Sequence, residues 1–250
     1  MTELFQTILY QPIFNLFVGL YDVIPDVGVA ILMITILLKL VLYPLTSKSI
    51  SAQKSMTDLQ PKMEALKVKY KDEQQTLAQE TMKLYKEHKV NPFGSCLPLL
   101  IQLPIFLALY WVLRDGLTSD NFEMLYSFIP NPGHINAVSL TVFDLSKPNI
   151  VLGIFAGLAQ YWQAKMLSLK KAPKKAGEGG KDENMMAMMN KQMLYFMPFM
   201  TVFISTQLPG GLALYWFLST LATALQQKFM FNKSKKNELP DGVIEGDIVK

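Results

Sequence analysis

The sequence contains few of the side chains that bind metals or form disulfides. It has one cysteine, Cys96, and two histidines, His88 and His134, among 250 residues. A single cysteine excludes an internal disulfide, and two widely separated histidines do not make a metal-ligand set. We therefore expect no metal cluster and no redox chemistry.

Charged residues are also scarce. They make up 18% of the chain, whereas 50% of the residues are hydrophobic, which is typical of a membrane protein. The first residues carry no basic region and no small-residue cleavage site, so they do not indicate a cleavable signal or an organelle transit peptide. The apolar segments contain no cluster of histidine and carboxylate residues, which argues against a membrane enzyme.

Five apolar runs are long enough to be candidate membrane spans. The pattern predicts an all-α membrane protein with five transmembrane helices. The predicted spans cover about 27–47, 95–114, 148–167, 192–207 and 210–230. The second run is interrupted by Pro98, Gln102 and Pro104. A proline leaves a backbone carbonyl without its helical hydrogen bond, and at membrane depth protein, side chains or water must satisfy that carbonyl.

The segment before the first span, 1–26, has helical periodicity. Apolar residues recur at helical spacing over 3–20, which predicts an amphipathic helix at the membrane interface. The polar side of this helix is predicted to carry Glu3, Thr7, Gln11 and Asn15. Pro12 predicts a break or a new helix start near the middle of the segment.

A polar segment between the first two spans predicts a cytoplasmic helical hairpin over 50–90. Its apolar residues recur every three or four positions, Pro61 is predicted to open the first arm, and the turn is expected near Lys71. Three roles stay open for this hairpin: packing only within the pair, docking a partner through its basic face, or facing anionic lipid.

Two further segments are predicted to be cytoplasmic. The loop 168–191 is rich in lysine and glycine, which predicts mobility. Its methionines, which continue to Met193, either contact hydrophobic segments of a partner or simply begin the fourth span. The tail 233–250 is predicted to be disordered.

The positions of the lysines predict how the chain is oriented in the membrane, because loops kept in the cytoplasm are rich in basic residues. Nine lysines lie between Lys48 and Lys89, seven between Lys165 and Lys191, and five from Lys228 onward, whereas 1–38 contains none. The N-terminus is therefore predicted outside and the C-terminus inside.

Lys39 lies inside the first apolar run. A central lysine costs about 2.5–3.5 kcal/mol on insertion scales, so such residues usually face a polar partner, a cavity or water. The alternative is snorkelling, in which the long stem lifts the ammonium group to the headgroups. The residues alone leave both explanations open.

Several motifs resemble the YidC/Oxa/Alb family of membrane protein insertases. They are YPLTSKS at 43–49, LQPK at 59–62, NPFGSCLPLLIQLPIFLALYW at 91–111, and FMPF with LPGGLALYWFLST within 196–220. The resemblance implies that 27–232 forms a five-span core enclosing a hydrophilic groove, open to the cytoplasm and to lipid and closed toward the outside. It implies no nucleotide site, no prosthetic group or other cofactor, and no enzymatic activity.

The resemblance also implies which residues line the groove. They are Lys39, Thr35, Gln102, Leu103, Phe106, Tyr215, Trp216 and Thr220. Lys39 stands where the family usually has arginine; lysine is a point charge without a planar fork, so bidentate contacts are not expected. Simpler roles remain: Thr35 can bond its own helix, Gln102 can satisfy the proline breaks, and Tyr215 and Trp216 can be core or lipid-facing aromatics.

The function implied by the resemblance is insertion of nascent membrane proteins into the lipid bilayer of the bacterial cytoplasmic (inner) membrane. The Sec translocon, the signal recognition particle receptor and the ribosome are further expected partners, and tail lysines suit ribosomal phosphates. The alternative function is a small-anion transporter or channel that uses Lys39. Five spans without paired inverted halves, and without a second intramembrane charge, argue against that alternative.

Overall fold

The computed structural model describes residues 3–71, 73–91, 94, 97–118, 122–167 and 192–238. The helices are α1 Glu3–Phe5, α2 Gln11–Val23, α3 Val27–Lys69, α4 Gln74–Glu87, α5 Leu97–Thr118, α6 Ile150–Leu167, α7 Met197–Ser205 and α8 Gly210–Glu238. π-Helical turns, Gln6–Tyr10 and Gln192–Phe196, precede α2 and α7. Two short antiparallel strands, β1 Val138–Ser139 and β2 Phe143–Asp144, pair Val138 with Asp144 and Ser139 with Phe143.

Each of the five apolar runs contains a helix, namely α3, α5, α6, α7 and α8. Within the described residues, two helices are long and apolar enough to cross a bilayer, Val27–Lys69 and Leu100–Leu117, and Gln192–Ser205 is a shorter apolar helix. The prediction of a largely helical membrane protein therefore agrees with the structure. The number of crossings stays a prediction.

The first span and the first arm of the hairpin form one continuous helix. The prediction that Pro61 opens a separate arm is wrong, because Pro44 and Pro61 both lie inside α3. A proline removes one backbone hydrogen bond, but the flanking turns keep theirs. After Pro44, the hydroxyl of Thr46 also donates to the carbonyls of Leu42 and Tyr43, at 3.0 and 3.1 Å.

The hairpin turn lies where the sequence predicts it, since α3 ends at Lys69 and α4 begins at Gln74. Side-chain contacts join its arms. Tyr85 Oη donates to Met63 Sδ at 3.3 Å, and Lys62 Nζ lies 2.7 Å from His88 Nε2.

The N-terminal segment is helical, with Pro12 in the first turn of α2, but its predicted polar side is only partly exposed: Glu3 and Thr7 are exposed, whereas Asn15 is not. Asn15 is buried. Its side chain donates to Met124 O at 2.9 Å and accepts from Tyr126 N at 2.6 Å. The sequence pattern fails here because the chain after α5 covers this side of α2.

That covering chain, residues 122–149, is called the capping segment below. It also covers the N-terminus of α3, where Asp26 accepts from Ser139 Oγ at 2.6 Å and from Leu140 N at 2.8 Å. The same carboxylate accepts from Val29 N at 3.0 Å and so caps the helix.

The capping segment covers the N-terminus of α8 in the same way. The carbonyls of Lys147 and Leu145 accept from the N–H groups of Gly210 and Gly211, each at 2.9 Å. Because the first N–H groups of a helix have no intrahelical partner, these bonds satisfy groups that would otherwise be unpaired. We call this end, where α3 and α8 both begin, the capped end.

The core lies beneath the capping segment, between α2, α3, α5 and α8. Its fully buried large side chains include Phe14, Phe17, Ile31, Ile34, Leu109, Leu113, Ile135, Leu145 and Leu212. Beside it, α6 packs along α7 and α8. A Cβ on Gly157 of α6 would stand 2.6 Å from Val202 Cγ2, so the glycine allows the close approach of α6 and α7.

Two predicted segments lie wholly or partly outside the described residues. The loop 168–191, with its predicted mobility and most of its methionines, is not among them. The predicted disordered tail begins at 233, whereas α8 continues to Glu238. Residues 239–250 lie outside the described residues.

Candidate functional site

Lys39 contacts the last helix. Its ammonium group donates to Thr223 Oγ1 at 2.8 Å, and the Thr223 hydroxyl donates in turn to Ser219 O at 2.9 Å. The lysine is partly buried. Its polar partner in α8 favours a polar site between helices over snorkelling toward the headgroups.

A second polar contact joins α5 to α8. Gln102 Nε2 donates to Tyr215 Oη at 2.7 Å, so the amide that interrupts the second apolar run reaches a tyrosine rather than its own helix. Nearby, the rings of Phe106 and Trp216 pack edge to face, with centroids 5.1 Å apart. Two pairs of predicted groove residues thus connect α5 to α8.

The remaining predicted residues are arranged differently. Thr35 is buried and donates to Ile31 O at 2.6 Å, which is the simpler role considered for it. Thr220 is buried on α8, and Leu103 is largely exposed on α5. Whether these residues line a groove stays a prediction.

Beyond Lys39, further polar residues of α3 and α8 contact one another, and the sequence patterns above do not predict them. Gln226 Nε2 donates to Thr46 Oγ1 at 3.2 Å and to Ser47 Oγ at 2.9 Å. The next residue of α8, Gln227, donates through Nε2 to Gln53 Oε1 at 3.0 Å. We call the α3–α8 contacts from Lys39 to Gln53 the polar seam.

A sequence signal for the seam exists in α8. Tyr215, Ser219, Thr223 and Gln227 follow one another at four-residue spacing, which places them along one side of the helix. At about 1.5 Å per residue, this stripe is about 18 Å long. The stripe therefore leads from the aromatic contacts, along the seam, toward the end of the bundle opposite the capped end.

No carboxylate on the facing helices neutralises Lys39. The sequence has no aspartate or glutamate from Val27 to Thr57, from Leu97 to Leu113, or from Gly210 to Asn237. In the part of the chain that the structure describes, no group of three or more His, Cys, Asp or Glu residues could hold a metal ion. The chemistry available here is hydrogen bonding and attraction of negative charge, without a metal centre among these residues.

Comparison with known proteins gives the family. The profile of the family described as "60Kd inner membrane protein" matches residues 19–238. The membrane protein insertase YidC of Fusobacterium nucleatum is 37% identical over 206 residues, which are 82% of this chain and 86% of that protein. The YidC insertase of Tolumonas auensis is 34% identical over 229 residues, which are 92% of this chain but 37% of that longer protein.

A solved structure agrees with the sequence matches. It is described as an active YidC insertase with the first transmembrane domain resolved, and it is 28% identical with a TM-score of 0.56. The alignment covers 92% of this chain and 47% of that one. None of these relatives is named a transporter or a channel, so that alternative has no support. The chain belongs to the YidC family of membrane protein insertases, which are inner membrane proteins.

Proposed function

We propose that the chain inserts nascent membrane proteins through a hydrated groove formed along the polar seam by α3, α5 and α8. The observation that carries this proposal is the contact between Lys39 and Thr223, on helices without a compensating carboxylate. A positive charge held among apolar helices attracts acidic or polar groups more strongly than it would in bulk water, because the surroundings screen it less.

The groove fits a five-span arrangement with the N-terminus outside and the C-terminus inside. The lysine distribution supports that orientation, and helices occupy all five apolar runs. In this orientation the capped end faces outward and the polar seam leads toward the cytoplasm. The capping segment then closes the outer end while the opposite end receives clients.

The groove lowers the barrier for the polar part of a client. A backbone or charged tail that crosses lipid alone leaves its polar groups unsatisfied, at several kcal/mol each. Hydroxyl and amide groups of the seam, including Thr223 and Gln226, replace some of the lost water contacts. The apolar part of the client leaves sideways into lipid, and its burial supplies the driving free energy.

Partners other than the client and the bilayer are part of the proposal. The hairpin of α3 and α4 carries lysines on its exposed surface, which suits docking of a Sec translocon, a signal recognition particle receptor or a ribosome. In the tail beyond α8, three acidic residues outnumber the single lysine, Lys250, so we assign the ribosome contact to the hairpin rather than to the tail.

The test is reconstitution in protein-free liposomes with a short single-span client that has an acidic translocated tail. Lys39→Arg should preserve insertion, whereas Lys39→Ala should reduce it about fivefold to tenfold, corresponding to about 1–1.4 kcal/mol. Lys39→Glu should reduce it further, because the new charge repels the tail. A client with an uncharged tail should be affected least.

Lys48→Ala is the matched control, because Lys48 is an exposed lysine on the same helix and outside the seam contacts. It should leave insertion unchanged. Lys39→Ala should also unfold no more easily than the parent chain, since removing a buried charge relieves desolvation. Equal insertion of all clients by the alanine and glutamate variants would exclude the electrostatic part of the mechanism.

A further inference from the structure

The β-hairpin of the capping segment presents apolar side chains at its tip. Leu140 is 67% exposed and Val142 is 72% exposed. No charged residue lies between Ile135 and Phe143. Exposed apolar side chains grouped at a loop tip usually mark an interaction site rather than ordinary surface.

The turn places Leu140 and Thr141 in an unfavourable backbone conformation. Leu140 and Thr141 have positive φ values, 48° and 59°, and Val142 N donates to Ser139 O at 3.1 Å. Such a two-residue turn favours Asn-Gly, because bulky residues in the left-handed region are destabilising by about 1–3 kcal/mol each. The bond from Leu140 N to Asp26 Oδ2, at 2.8 Å, helps to hold the turn.

Polarity changes from the tip to the base of the hairpin. At the base, Lys147 Nζ lies 2.8 Å from Asp144 Oδ2, and both side chains are accessible to solvent. The hydrogen bond from the Lys147 ammonium lowers the pKa of Asp144 to about 2, so this pair is charged at neutral pH. An uncharged tip beside a charged base suits the boundary between acyl chains and headgroups.

The tip is also close to a surface that faces lipid. Asp26, which binds the turn, precedes α3, and α3 exposes Leu32 and Ile36 within its first three turns. On the other side of Asp26, Val23 is 76% exposed at the end of α2. The apolar surface therefore extends from α3 past its N-terminus to the hairpin.

We propose that the hairpin tip, formed by Leu140 and Val142, inserts among the acyl chains at the bilayer interface where α3 begins. Lipid is the occupant because the tip continues the apolar surface of α3. The tip is too small for a protein partner, since specific protein interfaces bury at least about 1,000 Å². Insertion of the tip would hold the capping segment against the membrane, while the base of the hairpin stays in the headgroup layer. This inference depends on membership of an inner-membrane family and not on the insertion mechanism.

The test uses single-cysteine variants of the full chain, with Cys96→Ser as the background. L140C and V142C are labelled with an environment-sensitive fluorophore and reconstituted in vesicles of phosphatidylcholine and phosphatidylglycerol. N131C is the matched control, because Asn131 is exposed on the same segment but lies between two prolines away from the tip. Two cysteine positions are used so that one poorly folding variant does not decide the outcome.

Labels at both tip positions should show blue-shifted emission and at least about twofold stronger quenching by lipids with a shallow nitroxide than the label at position 131, as expected for side chains in the acyl boundary. They should also be protected from aqueous iodide. Quenching by iodide equal to that at position 131 would overturn the proposal. So would protection from both quenchers, because that result means that protein covers the tip.

Discussion

The two ends of the α3–α8 pair are held by different kinds of contact. At the capped end, Asp26 and the carbonyls of Leu145 and Lys147 accept hydrogen bonds that satisfy helix starts and the capping segment. At the opposite end, the contacts are between neutral amides and hydroxyls. There Gln227 is fully buried, and its Oε1 has no hydrogen-bond partner among the described residues, as is also true of Gln60 Oε1.

This difference shows how one helix pair can be fixed at one end and adaptable at the other. A buried carbonyl oxygen without a partner is destabilising by about 1–3 kcal/mol. Such a group accepts water or a client's N–H readily, whereas the saturated groups at the capped end gain nothing from a new partner. The groove that we propose needs an adaptable end to receive different clients and a fixed end that stays closed.

The largest effect expected at the capped end is that of Gly28→Ala. A Cβ at this position would stand 2.2 Å from Ser139 Oγ and 3.0 Å from Ser139 Cβ, so the capping segment has to move away. We expect a loss of about 2–3 kcal/mol in the free energy of unfolding. Detergent titration in mixed micelles measures it.

Gly19→Ala is the matched control, because its nearest contact would be Ile129 Cδ1 at 3.8 Å, an ordinary distance. Within α2, it should stabilise the chain slightly, by about 0.5–1 kcal/mol. Equal effects of the two alanines would mean that the capping segment does not depend on its contact with the start of α3.

Asn15→Ala should have the next largest effect. The change leaves Tyr126 N and Met124 O without the bonds of 2.6 and 2.9 Å that Asn15 makes, and we expect a loss of about 2 kcal/mol. Hydrogen exchange of the Tyr126 amide provides a local readout and should accelerate. Gln207→Ala, at an exposed amide, is the control and should change neither the free energy of unfolding nor the exchange rate of the Tyr126 amide. An unchanged Tyr126 exchange rate in Asn15→Ala would contradict the role of Asn15.

A smaller, pH-dependent effect is expected at Asp26. Burial by itself favours the protonated carboxyl, but the bonds from Leu140 N, Ser139 Oγ and Val29 N outweigh it and lower the pKa of Asp26. Its contribution is therefore present above the ordinary aspartate pKa of about 3.9 and is lost as the pH falls through the lower folded value. Asp26→Asn should be less stable at neutral pH by about 1 kcal/mol.

The difference in stability between the parent chain and Asp26→Asn should shrink as the pH falls from about 4 through the lower folded pKa of Asp26, below which both chains carry a neutral side chain. Stability curves at several pH values measure this difference. A difference that stays constant down to the folded pKa would show that the charge of Asp26 is not what binds the capping segment.

The smallest effect is expected at the opposite end, for Gln227→Leu. The substitution removes one bond to Gln53 but also removes the unpartnered oxygen, so the two changes nearly cancel. Stability should change by less than about 1 kcal/mol, because replacing a poorly satisfied buried polar group by an apolar group of similar size is often neutral. A loss as large as that of Asn15→Ala would remove the contrast between the two ends.

The sequence predicts the positions of the helices well, because apolar runs and lysine clusters are local signals. It does not predict that α3 passes Pro44 and Pro61 without ending, since only the surrounding packing decides whether a helix tolerates a proline. The burial of Asn15 is invisible for the same reason, because its partners lie more than 100 residues away.

The candidate site is predictable in part. Gln102 and Tyr215 belong to family motifs, but their mutual hydrogen bond depends on how α5 and α8 pack. Thr223 lies outside those motifs and is identified only by the four-residue stripe on α8. Its contact with Lys39 depends on the rotation of two helices whose residues are 184 positions apart, which periodicity in either helix does not specify.

Because α3 is one continuous helix, a tilt at one point along it displaces its far end. Its 43 residues span about 65 Å, and about 45 Å of that length separates Lys39 from Lys69 at the hairpin turn. With its beginning clamped by the capping segment, a tilt of about 10° near Lys39 would swing the turn sideways by about 8 Å. If a client enters beside Lys39 as proposed, its arrival would thus shift the hairpin, and a partner bound to the hairpin would change the width of the proposed groove by the same motion.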